Sequence, residues 1–178
     1  MALPPQKFRE IVFQLLYSSD LGFSQEKDIV ELLMGELEVS KKNVLIAQEH
    51  VKTIRQHQTE IDETITKTAI SYEFERIQSV ERNILRLGTY EILFDSSIPP
   101  VVAITEAVRL AKKFGTPESA AFVNAILDAI YKASQGEQID AEILVKQAET
   151  LKMSEQVATD LQNEPPQTTG QQEETPQK

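Results

Sequence analysis

The sequence predicts an all-α fold, a compact helical bundle of about seven helices with a weak extra helix and a disordered C-terminal tail. Three observations carry that reading. Apolar residues from Phe8 to Leu161 recur mainly at helical spacing. Glycines are scarce, at six in 178 residues. No stretch of useful length alternates apolar and polar residues as a half-buried strand would.

The elements follow in order. Phe8, Ile11, Val12, Leu15 and Leu16 line one face of a first helix, entered through Pro4 and Pro5, where proline is tolerated. Ser18 to Ser24, with Gly22, reads as a loop. Ile29, Leu32, Leu33 and Leu37 mark a second helix over about Gln25 to Leu37. Ser40 is placed to cap a third, Lys41 to His57. Ile61, Ile65 and Ala69 suggest a fourth that ends near Tyr72. Ser79 is expected to cap a fifth, which carries Ile84, Leu85, Leu87, Gly88, Ile92 and Leu93. Being apolar on much of its circumference, this helix should be the centre of the fold.

Ser96 to Pro100 breaks that helix. A sixth follows over Val102 to Phe114, with Gly115 placed to close it. Thr116-Pro117-Glu118 is the clearest start signal: a capping hydroxyl, proline at the first helical position and an acid in the first turn. That seventh helix runs to about Ala133 and Gly136 ends it. A weaker helix over 139–161 carries Ile143, Leu144, Leu151, Val157 and Leu161. From about residue 163 onward nothing apolar anchors the chain, so disorder is expected. The organisation expected is a helical domain over 1–136 and an acidic extension over 137–178. The core is expected to hold Leu85, Leu87, Ile92, Ile104, Val108, Leu110, Phe122, Val123 and Leu127, with Asn124 buried and hydrogen-bonded among them.

Composition narrows the function classes. There is no cysteine, so disulfides and thiolate metal sites are excluded. The N-terminus lacks signal-peptide order and no apolar run spans a bilayer, so a cytoplasmic protein without membrane association is expected. Net charge is −10, of which residues 137–178, with nine acids against three lysines, supply −6. Strong nonspecific binding to duplex DNA is therefore not expected. His50 and His57 stand seven apart and read as exposed helix residues, without a third histidine to complete a metal site. No phosphate-binding loop, dinucleotide fingerprint or nucleophile elbow is present. Acidic pairs such as Asp62-Glu63 diverge by about 100° on a helix and so do not converge as an acid/base pair. Neither catalysis nor a cofactor or metal is expected.

Small basic sets remain: Lys7 and Arg9, Lys41 and Lys42, Arg82 and Arg86, and Arg109 with Lys112-Lys113. Each reads first as a solvated helix face and second as a phosphate contact. Aromatic residues that could stack bases are Tyr17, Tyr72, Tyr90, Phe114, Phe122 and Tyr131, most of them expected in the core, with Tyr17 and Phe122 as the exceptions.

The stretch from Val80 to Tyr131 carries a dense pattern: Ile84-Leu85-Arg86, Tyr90-Glu91, Ile98-Pro99, Ala103-Ile104, Glu106-Ala107, Leu110-Ala111-Lys112, Phe114-Gly115, Ser119, Phe122-Val123-Asn124 and Leu127-Asp128. Together with Arg9-Glu10 and Leu16-Tyr17 it closely resembles the NusB family over about residues 7–133, the segment 22–75 matching by helical character alone. The resemblance implies two packed sub-bundles and transcription antitermination through single-stranded boxA RNA of nascent ribosomal RNA. The implied partner is ribosomal protein S-ten (NusE), with RNA polymerase engaged indirectly, and a homodimer is possible. It implies RNA contacts at Lys7, Arg9, Tyr17, Arg86, Glu118 and Phe122, and a partner contact at Glu81. The sequence departs from the family pattern in its thin basic arm, in Thr105 and Ala125, and in the acidic extension, which is expected to be dispensable for folding and to weaken RNA affinity. The alternative reading is a non-catalytic NusB-like RNA-binding or scaffold domain, of the kind fused to ribosomal RNA methyltransferases.

Overall fold

The computed structural model describes residues 3–22 and 26–163. Eight α-helices account for most of them: α1 (Pro5–Asp20), α2 (Glu26–Leu37), α3 (Lys41–Gln56), α4 (Gln58–Thr68), α5 (Ser79–Leu93), α6 (Pro100–Phe114), α7 (Pro117–Ser134) and α8 (Ala141–Asn163). A 3-10 turn, Phe74–Arg76, lies between α4 and α5, and there is no strand among the described residues. The disorder expected beyond residue 163 falls outside the described residues.

Helices α1 to α4 form one sub-bundle and α5 to α8 the other. Helix α5 joins them, touching α1, α3 and α4 on one side and α6 and α7 on the other. That double duty explains its composition: Ile84, Leu85 and Leu87 are buried, and so are Arg86, Thr89 and Glu91. Of the expected core, Leu85, Leu87, Leu110, Phe122, Val123 and Leu127 are buried, while Ile92, Ile104 and Val108 are half-buried against it. Asn124 is exposed, contrary to expectation. It lies on the outward face of α7, about 100° round from Val123, so its amide meets water and needs no internal partner.

Local signals held unevenly. Ser40 caps α3 by accepting from the Asn43 amide, and Thr116 and Ser119 form a reciprocal capping box at the start of α7. Ser79 does not cap α5. It is the first helical residue, and its hydroxyl instead donates to Asp20 at 2.8 Å. Gly115 does close α6, but at φ −120°, outside the left-handed region. The need for glycine there is space: a Cβ would stand 2.9 Å from the Ala111 carbonyl oxygen and 2.9 Å from Ser119 Oγ. Gly136, at φ +75°, is the left-handed terminator of α7.

The weak extra helix has the expected length, begins and ends two residues later than expected, and its first half is part of the core. Asp140 Oδ1 caps it, accepting from the amides of Glu142 and Ile143. Leu144, Ala148 and Leu151 are buried in the same cluster as α7. The first half of α8 therefore packs with the body on the far side of the expected boundary at 136.

Candidate nucleic-acid interface

Helix α1 sorts its basic residues by angle. Lys7, Glu10, Gln14 and Tyr17 follow one another at i, i+3, i+7 and i+10 and share a face. Arg9 is turned about 200° from Lys7, so the two cannot serve one surface. Its guanidinium is buried between the sub-bundles, where Nε donates to both carboxylate oxygens of Glu91, at 2.8 and 3.1 Å. Burial pushes the Glu91 carboxyl up, against the pull of Arg9. The pair ties α1 to α5.

Arg86 is likewise internal. It donates to both oxygens of Asp62 at 2.8 Å each and to Asp20 at 3.2 Å, fastening α5 to α4 and to the end of α1. Arg82 joins the cluster, donating to Asp20 at 2.6 Å. Burial works against the Asp20 charge, yet the bonds from Arg82 and Ser79 outweigh it and hold its pKa down at about 2. Phe122 is wholly buried, its ring tilted against Tyr72 at 5.4 Å. Stacking of Phe122 on a base is thus incompatible with the closed fold. Arg9 and Arg86 are buried against their carboxylate partners, their side chains only 8 and 10% exposed. Three of the six residues expected to contact RNA therefore sit in the interior.

Lys7 and Tyr17, both half-buried, lie on one α1 face about three turns apart, with buried Glu10 between them. Opposite them runs α6. Arg109 Nη1 donates to Glu10 at 2.6 Å, and Lys113 Nζ donates to the other oxygen of Glu10 at 2.8 Å. Burial opposes the charge of Glu10, but these two cations prevail and keep its pKa low. Tyr17 stacks on Phe13 at 5.9 Å, Phe13 meets Phe114 at 4.8 Å, and Lys113 sits 5.4 Å over the Phe114 ring. Tyr17 and Phe114 are half-buried, so each offers an edge or face to solvent. The arrangement is a seam between α1 and α6 with two accessible aromatic rings and the cations of Lys7, Arg109 and Lys113. Such a seam suits an unstacked base and its phosphates. Glu118 follows across the α6–α7 corner, in the first turn of α7, and Ser154 of α8 reaches it at 3.5 Å.

Sequence reasoning reached Arg109, Lys113 and Phe114 only as general candidates for phosphate or base contact and left them out of the expected RNA site. A signal existed: Glu106, Arg109 and Lys113 share a helical face at i, i+3 and i+7. Nothing in the sequence says that this face looks onto α1.

Glu81 stands in the first turn of α5 and is buried rather than presented at the surface. One carboxylate oxygen accepts from the Ser119 hydroxyl, and α8 passes over it. The histidines are not simply solvated either. His50 packs between Phe8 and Tyr90, and His57 stacks on Phe94 at 4.2 Å. Burial depresses the His50 pKa. Among the described residues no cluster of three or more metal-ligating side chains occurs, and no helix is long and apolar enough to cross a membrane.

Residues 6–132 match the model of the NusB family. The chain is 39% identical over 131 residues to the transcription antitermination protein NusB of Chlamydia pneumoniae, covering 74% of this chain and 82% of that one. It is 44% identical over 124 residues to the transcription antitermination protein NusB of a Nitratiruptor species, covering 70% and 88% respectively. Among solved structures, T. maritima NusB superimposes with a TM-score of 0.63 at 33% identity, covering 80% of this chain and 98% of that one. A chain from a complex of the antitermination factors NusB and NusE with double-stranded RNA superimposes at 0.61 with 33% identity, covering 72% and 96%.

Proposed function

The chain belongs to the NusB family, and from that premise we propose that it acts as a transcription antitermination factor. It binds boxA-type single-stranded RNA of nascent ribosomal RNA together with ribosomal protein S-ten (NusE). The observation that carries this is the continuity of the family match over residues 6–132, which includes both helices of the aromatic and basic seam. The role is one of binding and not of catalysis, and work on nascent transcripts belongs in the cytoplasm.

Within this reading the RNA contacts are Lys7, Tyr17, Arg109, Lys113 and Phe114, with Glu118 at the margin. Arg9 and Arg86 act on RNA only through the helices they hold in place. A net charge of −10 weakens long-range attraction, so a basic partner that shares the phosphate load is physically apt.

The test is a fluorescence-anisotropy titration of labelled boxA RNA with and without S-ten. S-ten should tighten binding. Tyr17→Ala should weaken it by about tenfold or more, the worth of roughly one stacked base. Lys113→Gln should lower the slope of log affinity against log salt by about 0.7, the share of one phosphate contact on a single strand. Unchanged affinity and slope in both variants would remove the α1–α6 seam from the interface.

A further inference from the structure

Helix α8 begins beyond the region matched by the family model, and its two halves sit differently on the body. It returns antiparallel to α7, with Leu144 near the end of α7 and Ser154 near its start. The inward positions 144, 148, 151 and 155 follow a helical stripe. The first three are apolar and buried to 2, 1 and 2% exposure. The fourth is Glu155. From there the amphipathicity reverses: Met153, Val157 and Leu161 face solvent at 70, 58 and 67% exposure, while polar side chains face the protein.

What lies beneath this second half is a crevice of about 280 Å³ between α5 and α7, lined among others by Glu81, Thr116, Ser119, Glu155 and Thr159. None of its lining residues is basic. Glu81 is only 5% exposed, and its Oε2 has no hydrogen-bond partner among the described residues. Glu155 Oε1 is in the same condition, although Tyr72 donates to Oε2 at 2.6 Å. Burial raises the Glu155 pKa, and the neighbouring Glu81 carboxylate raises it further. The starts of α5 and α7 both turn positive dipole ends towards this spot, which suits one carboxylate but not two at close quarters. Helix α8 thus sets a second acid close to Glu81, where a cation paired with Glu81 would remove the opposition between the two carboxylates.

We propose that residues 152–163 of α8 are a displaceable occupant in cis of the crevice between α5 and α7, and that they cover Glu81, the partner contact the family resemblance implies, until a Lys or Arg side chain of the protein partner displaces them. The first half of α8 is the anchor, through Leu144, Ala148 and Leu151. The second half swings away when a cationic side chain takes the place of Glu155 opposite Glu81. The bonds lost are few: Tyr72 to Glu155, Ser154 to Glu118, and Lys152 to the Ser71 carbonyl. This rests on the proposed function, since S-ten serves as the partner.

Hydrogen-exchange mass spectrometry on the full chain tests it, with saturating S-ten or with boxA RNA alone. S-ten should strip protection from the amides of 152–163 and leave those of 144–151 protected. Glu155→Gln keeps an acceptor for Tyr72 and removes the opposed charge, so it should weaken S-ten binding roughly two- to fivefold, the size of one partly exposed charge interaction. Leu151→Asp should loosen α8 and strengthen binding. S-ten binding with undiminished protection over 152–163 would overturn the displacement while the proposed function stands. Release by RNA alone, without effect of S-ten, would overturn the protein partner. If neither the wild type nor Leu151→Asp binds S-ten, the functional reading itself falls and this inference with it.

Discussion

Replacing Arg86 by methionine should cost the fold about 3 kcal/mol and leave RNA affinity unchanged, because the guanidinium is a fastener between helices. The magnitude follows from its surroundings. Arg86 is 8% exposed and makes two bonds of 2.8 Å to Asp62 and one of 3.2 Å to Asp20. Hydrogen bonds to charged groups contribute about 1.5–3 kcal/mol each when buried. Here the carboxylates are not sealed: the Asp62 and Asp20 side chains are 23 and 18% exposed and can regain water once the cation is gone. Methionine also keeps an apolar stem of similar length, although it gives up the guanidinium that sits 5.6 Å from the centre of the Phe74 ring. The loss therefore falls at the lower end of the roughly 3–5 kcal/mol seen when one partner of a buried pair is removed. For a domain of this size each kcal/mol is worth about 2–4 °C, so the melting temperature should fall by about 6–12 °C. Urea denaturation followed by circular dichroism gives the free energy, and an unchanged m-value guards the comparison. A double-mutant cycle with Asp62→Asn should return a coupling of about 1.5 kcal/mol or more. Loss of boxA affinity with a stability change below about 1 kcal/mol would refute the reasoning and return Arg86 to the RNA surface.

Phe122→Ala should cost about 3–5 kcal/mol in urea denaturation, the usual toll of emptying a buried aromatic site, whereas a ring that merely stacked on RNA would leave stability untouched. Asn124→Ala, at an exposed position on α7, should change stability by less than about 0.5 kcal/mol. Asp20 has a folded pKa lowered from 3.8 to about 2, so its stabilisation is present above 3.8 and is lost as pH falls through about 2. Melting temperature against pH should therefore drop over that window in the wild type and drop less in Asp20→Asn. Gly115→Ala brings a methyl within 2.9 Å of a backbone carbonyl that cannot yield, and thermal denaturation should show a loss of about 1–3 kcal/mol.

The sequence by itself determined the helices and the family, because both are written in local spacing and in residue identity. The stripe Phe8 to Leu16, the capping box at Thr116 and Ser119, and the terminator Gly136 depend on neighbours within a turn or two, and the structure repeats them. The run from Ile84 to Asp128 specified the family for the same reason: it is a string of identities, legible without coordinates. What only the tertiary structure decided was which side of each helix met another helix. Arg9 and Lys7 are two residues apart and read as one basic arm, yet α5 buries the first against Glu91 and leaves the second partly exposed. Arg86 and Phe122 carry the chemistry of RNA contacts, and the packing of α4 against α5, and of Tyr72 against α7, turned them inward. Ser79 matched the cap pattern, but Asp20, fifty-nine residues away, claimed its hydroxyl. The acidic extension looked separable by composition, and Leu144, Ala148 and Leu151 made the first half of α8 part of the core. A charge or ring acquires a role from its partner, and partners distant in sequence are set by the close packing of whole helix faces, which no local window contains.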